Sequence, residues 1–587
     1  MTTQSETWPT ANTEHGLLVA FGEFLTQHGL LERLSKLPVK QKVGVAGCEG
    51  TPQDRLIEFL AGIMSGIEHL VELSDGPHPI ANDEVVAQAW GQRHFAHSSS
   101  VSRALTACDM ETVAAAERAI REFSRPFIEG SVQELLRLGQ GIVYDLDLMG
   151  VAVSATSRTY QGVAFGWMDD EVKLGYQLAR VCLTQADGRR IWLEGFHHAG
   201  NTVSVTCLQE LLATAESQTG IRPRRRTELV EQRMAAQAEA VNRTGQWLAQ
   251  QQAQASQFKH TREQLIGKLY HAERVHKQAI SPQKTALLET QTRGWRARLP
   301  RVEHQQARCE EVMVRHRQDL DAQERKLAEL QHWLTQLHRD NATNPDPPAY
   351  CEARMDAGFT SGENITWALE MGYCLNTKAT SDQTTRALRA RTSSETHWVA
   401  VGDNADMTAW DNYRLHHCPY PVTVALERFK VGTVYQYATL IYYKEDGQMP
   451  TLPAWFAHYN ARQTIEAGNK EMKGTFFVQH LMSRSLPAIR LQALFTGVAA
   501  NAVRWCQPWL RQCACDITPK LRRTLTSPKA LVHVAANSAA LVQRTATCTA
   551  LCFAPNSSLS GVTLFLRGIP AFQLSFAFHQ PCKIASP

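Results

Sequence analysis

From Thr227 to about Asp340 the chain is rich in Gln, Ala, Glu, Arg and Leu and almost free of glycine, a composition that reads as continuous helix. Met313, Leu320, Leu327 and Leu334 recur every seven residues, with Leu330 and Leu337 between them, which marks a coiled-coil seam. Ser281-Pro282 supplies a turn and Pro300 a kink. The stretch therefore divides into two arms of about 50 residues, each reaching roughly 75 Å at 1.5 Å per residue. The prediction is an antiparallel coiled-coil insertion over residues 221–345 that projects from a core whose chain it interrupts. Asn341, Asn344, Pro345, Pro347 and Pro348 around Asp346 end the second arm.

The full 587 residues suggest about three or four domains, and 43% hydrophobic content is ample for packed cores. A net charge of only +4 excludes a globally basic chain, so any surface for polyanions must come from local clustering. Met1 to His15 shows no basic segment followed by an apolar run, and no continuous apolar stretch reaches about 18 residues. The expectation is a cytoplasmic protein without membrane contact. Its 14 cysteines should then be reduced, and Cys513-Ala-Cys515 with Cys548-Thr-Ala-Leu-Cys552 match no familiar zinc spacing.

Residues 1–135 read as helical, with apolar spacing in Leu17–Leu34 and Asp54–Leu73, and His97-Ser-Ser-Ser100 reads as the capped start of a short helix. Gly141 to Gly150 is an apolar strand with Asp145 and Asp147 at alternate positions, so both carboxylates point to one face, and buried acids there call for a cation. A loop over Thr156–Asp170 leads to strands Tyr176–Leu183 and Arg190–Phe196, joined by Asp187-Gly188, and then to a helix over Asn201–Glu216. His197 and His198 fit a turn better than an active site. Beyond the arm, Ala353-Arg-Met-Asp356-Ala-Gly358 reads as a strand ending in an acid, followed by a helix over Glu363–Met371 and a strand over Tyr373–Lys378. Residues 381–452 are β-prone, and the acids Asp403 and Asp406 lie in or beside turn chemistry. Leu486–Leu510 is an apolar helix. The tail 513–587 carries a basic patch at Lys520, Arg522, Arg523 and Lys529 and an apolar stretch from Val562 to Phe578.

The segment Tyr459-Asn-Ala-Arg462-Gln-Thr-Ile-Glu466-Ala-Gly-Asn-Lys470-Glu471-Met-Lys473 concentrates the chemistry. On a helix advancing about 100° per residue, Tyr459, Arg462, Glu466, Lys470 and Lys473 share one stripe roughly 80° wide, opposite Ala461, Ile465, Gly468 and Met472. One carboxylate among three cations and a phenol suits a phosphate chain beside a bound metal.

This spacing resembles the YREK signature of bacterial insertion-sequence transposases, the DDE enzymes with a ribonuclease H-like core. The resemblance covers about residues 135–220 and 350–510. It implies an α/β fold: a ribonuclease H-like catalytic core (136–220, 346–380 and 453–512) with a helical N-terminal DNA-binding domain (1–135), the coiled-coil insertion, a β-rich insertion (381–452) and a C-terminal tail (513–587). It implies a catalytic and metal-binding trio of Asp147, Asp356 and Glu466 holding two Mg²⁺ ions, with Mn²⁺ as a substitute. DNA contacts would come from Tyr459, Arg462, Lys470 and Lys473. The family usually has Thr two residues after the first aspartate; Met149 stands there instead, and the choice between Asp147 and Asp145 stays open. The implied partners are double-stranded transposon ends and target DNA, bound by a homodimer at the bacterial nucleoid. In such an insertion, Trp398 and Trp410 are candidates for stacking on a base, with core tryptophans as the alternative. The arms are open to dimerisation, to tracking DNA or to no partner at all. Two other readings compete: a catalytically inactive, transposase-derived DNA-binding protein, and a coiled-coil scaffold protein.

Overall fold

The computed structural model describes residues 10–40, 50–278, 281–348, 350–445, 450–544 and 548–567, and it divides into two compact units. One comprises residues up to Pro223, Pro347–Ala368 and the chain from Tyr373 onward; the other is Arg224–Asp346 with Leu369–Gly372. The interruption read from the glycine-poor stretch is thus a property of the folded chain.

The first unit is built on a ten-stranded mixed sheet. Its strands are β1 (Ile142–Ala152), β2 (Ala164–Met168), β3 (Glu171–Thr184), β4 (Arg190–Ala199), β5 (Cys351–Met355), β6 (Cys374–Lys378), β7 (Val399–Ala400), β8 (Ala405–Arg414), β9 (Pro421–Val431) and β10 (Val434–Tyr443). β3 lies between β1 on one edge and both β2 and β4 on the other, all antiparallel. On its far side β1 takes β5 in parallel, in a register running from Ile142↔Cys351 to Leu146↔Met355, and β5 takes β6 in parallel. The predicted loop 156–170 contains β2, closed by Asp169 and Asp170 with φ of 49° and 64°. Two consecutive left-handed residues give a hairpin turn whose twist matches its strands, and Asp tolerates that conformation. The β-rich segment does not form a sheet of its own: β10 pairs with β6, so β7 to β10 extend the core sheet.

Helices cover both faces. Leu208–Thr219 lies on one, where the Tyr144 and Thr219 hydroxyls meet at 2.7 Å and the Tyr373 hydroxyl donates to Glu216 at 2.6 Å. Gln463–Gly474 and Leu486–Cys513 lie on the other. A bulge leaves Leu193 without an opposite residue, and Asn501 of the long helix fills the broken ladder, accepting from Trp192 N–H at 3.0 Å and donating to Trp192 C=O at 2.7 Å. Leu486–Cys513 is long and apolar enough to cross a membrane, the one such helix among the described residues; 72% of its most apolar window is buried in the protein, as in a core helix.

The N-terminal part is helical as predicted. Pro52–Ser65 starts with a capping box between Thr51 and Asp54, and Ser98–Ala107 is capped by His97, whose Nδ1 accepts from Ser99 N–H. The tail folds back on this region: Thr10–Thr13 pairs with Ala540–Arg544 in a four-stranded sheet completed by Thr549–Phe553 and Thr563–Arg567. Of the predicted apolar stretch Val562–Phe578, residues 568–578 lie outside the described residues, as do residues 1–9 of Met1–His15.

The second unit consists mainly of helices Thr227–His276 and Pro282–Ala342, with Pro300 inside the latter. Leu330 and Leu337 are buried, whereas Met313, Leu320, Leu327 and Leu334 are half-buried. Continued backwards, the buried row reaches Val302 and Cys309 through His316 and Gln323. His316 lies against Trp247, ring centroids 4.0 Å apart, and Gln323 Oε1 accepts from the Thr244 hydroxyl at 3.1 Å. Polar residues in the middle of this row explain why only Leu330 and Leu337 of it stand out in the sequence. At the base, Arg225 and Arg226 donate to the carbonyls of Met371 and Leu369 at 2.9 and 2.8 Å, so buried arginines cap a helix C-terminus.

Candidate active site

The two aspartates of β1 have different environments. Asp145 is fully buried and receives Arg354 Nε on Oδ1 at 2.5 Å, and Arg354 Nη2, Arg190 Nη2 and the Thr184 hydroxyl on Oδ2 at 2.8, 3.0 and 2.7 Å. Burial pushes its pKa up, but the hydrogen bond and charge of Arg354, with Arg190, outweigh burial and hold it below the usual carboxylate range. Its acceptor capacity is taken. Asp147 is 9% exposed and accepts from Asn469 Nδ2 at 2.6 Å, with Arg462 Nη1 3.8 Å from its other oxygen. Burial pushes its pKa up to about 7 against the pull of Arg462, and the charges of Asp356 and Glu466 add to the rise.

Asp356 follows β5 directly. Because the last β1–β5 pair is Leu146↔Met355, Asp147, inside β1, and Asp356, just past the end of β5, stand at the same level. Asp356 Oδ1 accepts from Gly358 N–H at 2.9 Å, and burial raises its pKa against Arg462. Glu466, on Gln463–Gly474, accepts from Arg462 Nη2 at 3.1 Å and is half-exposed. Arg462 thus pairs with Glu466 and lies 3.8 Å from Asp147, while Asp356, level with Asp147 on the neighbouring strand, acts on it through its charge. Arg462 is 9% exposed; burial favours its loss of charge, but Tyr459, Asp147, Asp356 and Glu466 together raise its pKa. The acids surround Arg462 without themselves closing to ligand distance: among the described residues, the His/Cys/Asp/Glu trio whose ligand atoms lie within 4.8 Å of one another is Glu68, His69 and His480.

The single helix read over Tyr459–Lys473 is not observed. Leu452–Asn460 and Gln463–Gly474 are separate helices joined by a tight turn in which Arg462 N–H donates to Tyr459 C=O at 3.0 Å and Ile465 N–H to Arg462 C=O at 2.8 Å. Such bonds advance about 120° per residue, not about 100°, and rotate Tyr459 off the stripe. The cause lies in the Asp145 network: Arg354 Nη1 donates to His458 C=O at 2.7 Å and Arg190 Nη2 to Ala461 C=O at 2.9 Å, capping the end of the first helix. Tyr459 is 6% exposed and packs with Trp455, Met407, Leu440 and Tyr442. Burial pushes its hydroxyl up to about 12, and that hydroxyl meets Arg462. Ile465 and Met472 are buried as read, and Asn469 is buried beside them. Lys470 is exposed, and Lys473 reaches Asp169 of the hairpin turn at 3.3 Å.

Asn469, Arg190 and Arg354 were missed; only the Asn469 position, three residues after Glu466 on a helix, carried a sequence signal. His197 lies on β4, not in a turn, and is 8% exposed; burial pushes its pKa down to about 3, with Arg490 adding. Asp406 is paired with Arg428 at 2.9 Å, and the Arg428 guanidinium lies 4.1 Å over the half-buried Trp398. Trp410 is half-buried on β8. Three carboxylates against one arginine, two of them raised by burial, form a hard-oxygen set that suits Mg²⁺ or Mn²⁺. No protein-family model matches this chain, and comparison with curated proteins finds no match.

Proposed function

We propose that this chain is a DDE transposase that cuts and joins DNA at transposon ends. The observation that carries the reading is the placement of Asp147 and Asp356 level on two adjacent parallel strands, with Arg462 joining Asp147 to Glu466 of the facing helix. The sheet supports it: antiparallel β1, β3 and β4, extended by the β2 hairpin, then a helix, and β5 and β6 parallel to β1 are compatible with what a ribonuclease H-like core needs. Two divalent ions held by the trio would activate water and later a DNA 3′-hydroxyl, and stabilise the leaving oxygen of an in-line displacement.

The chain's own residues bind and orient. Asn469 fixes the Asp147 carboxylate, and the fully paired Asp145 holds Arg190 and Arg354 against the carbonyls that set the course of the Glu466 helix. Arg462, beside Asp147 and Glu466, offsets their charge and would yield Glu466 to an ion held by the trio. Tyr459 then acts as a positioning residue behind Arg462, and Lys470 and Lys473 at the rim neutralise phosphates. The substrates are double-stranded ends and target DNA, paired by a homodimer.

The test compares Asp147→Asn and Asp145→Asn on a duplex carrying the chain's flanking inverted repeat, over a range of Mg²⁺. The reading requires Asp147→Asn to be inactive at every concentration with its fold intact, and Asp145→Asn to lose stability. Wild-type cleavage by Asp147→Asn would remove it.

A further inference from the structure

We propose that Glu68, His69 and His480 form a second metal site, for a divalent ion of the zinc class, distinct from the acidic trio and independent of the transposase reading. Their ligand atoms lie within 4.8 Å of one another although His480 is far along the chain from the adjacent Glu68 and His69. His480 Nδ1 is 2.9 Å from Glu68 Oε1, and the rings of His69 and His480 are 5.5 Å apart at their centroids. Two imidazoles and one carboxylate are a borderline donor set that suits Zn²⁺ and its neighbours in the transition series better than Mg²⁺, with water completing the shell.

Both halves of the site are held by the fold. Glu68 and His69 sit in the turn after helix Pro52–Ser65, which ends at the left-handed Gly66 (φ 75°), and Glu68 N–H donates to Glu72 Oε2 at 3.0 Å. His480 lies beyond the Glu466 helix in a segment where Phe477 has φ 48° and accepts from His480 N–H at 2.9 Å. Gln492, 2% exposed, clamps that segment, donating to His480 C=O at 2.8 Å and accepting from Met482 N–H at 2.9 Å. With Nδ1 on a metal, the ring carries its proton on Nε2, and the Gln479 amide, 3.3 Å away, turns its oxygen to accept it. The ion would tie the turn after an N-terminal helix to the segment that follows the Glu466 helix, adding stability in proportion to its binding.

The experiment is a Co²⁺ titration of the full-length, EDTA-stripped protein, read by visible d–d absorption, with Zn²⁺ competition for affinity. One equivalent should develop the spectrum in wild type and in Glu466→Gln. His480→Ala and His69→Ala should each weaken Zn²⁺ binding by about 100-fold or more, at or beyond the loss seen when supporting groups of a metal site are removed. His69 is exposed, so its variant should fold; metal-free melting curves matching wild type check both variants. A wild type without a saturable spectrum, a spectrum that survives both histidine substitutions, or one that disappears in Glu466→Gln would each overturn the assignment.

Discussion

Replacing Asp147 by Asn should stabilise the metal-free protein above neutral pH, although it removes a hydrogen-bonded buried group. In the folded chain the carboxyl is raised from the ordinary 3.8 to about 7, chiefly by burial. Its contribution to stability is therefore fully present below the unfolded value and is lost as pH rises through about 7, because the unfolded chain ionises first. At about 1.36 kcal/mol per pH unit, that rise sets a ceiling of about 4 kcal/mol on the cost of ionising Asp147 in place. An asparagine has no such cost, and its oxygen still accepts from Asn469. Urea unfolding in EDTA, followed by tryptophan fluorescence from pH 4 to 8.5, should give curves for wild type and Asp147→Asn that separate as pH rises, with the variant more stable at the alkaline end. Added Mg²⁺ should raise wild type and leave the variant nearly unmoved. A variant less stable than wild type at pH 8 in EDTA would refute the claim that Asp147 is a buried acid without a full counter-charge.

Asp145→Asn should do the opposite, costing about 3–5 kcal/mol near neutrality because Arg190 and Arg354 are left buried without their shared carboxylate; urea midpoints measure it. Arg354→Met should also disturb the end of helix Leu452–Asn460, seen as faster amide exchange around Ala461. Replacing Lys470 and Lys473 by Ala should reduce the slope of log affinity against log salt for duplex DNA by about 0.9 per lost phosphate contact, and an unchanged slope would take this rim off the DNA. Leu337→Ala should destabilise the arm unit by about 2–5 kcal/mol, measured by arm-specific proteolysis.

What was legible in the sequence is what local pattern determines. Alternation placed Asp145 and Asp147 on one face of β1, the Asp-Ala-Gly segment placed Asp356 at a strand end, and glycine-poor composition delimited the arms. The break before Arg462 was not legible, because the groups that cap the first helix are Arg354 and Arg190, 104 and 271 residues away from the carbonyls they hold. The same distance hid the choice between the two aspartates, which turns on who pairs with Asp145. Hairpin strand β2 escaped because Phe165 and Trp167 are exposed, so its alternation does not report a buried face. Part of the tail was illegible because the first of its strands, Ala540–Arg544, takes one neighbour, Thr10–Thr13, from the other end of the chain.

The most direct measurement is Mg²⁺-dependent cleavage of a duplex bearing the inverted repeat that flanks the chain's coding sequence, by wild type and by Glu466→Gln, with binding measured in parallel. Glu466 is half-exposed and, among the described residues, pairs with Arg462, so the amide should leave the fold and DNA affinity nearly intact. The account predicts cleavage leaving a 3′-hydroxyl with wild type and none with the variant at equal occupancy. Cleavage by Glu466→Gln at the wild-type rate would contradict it.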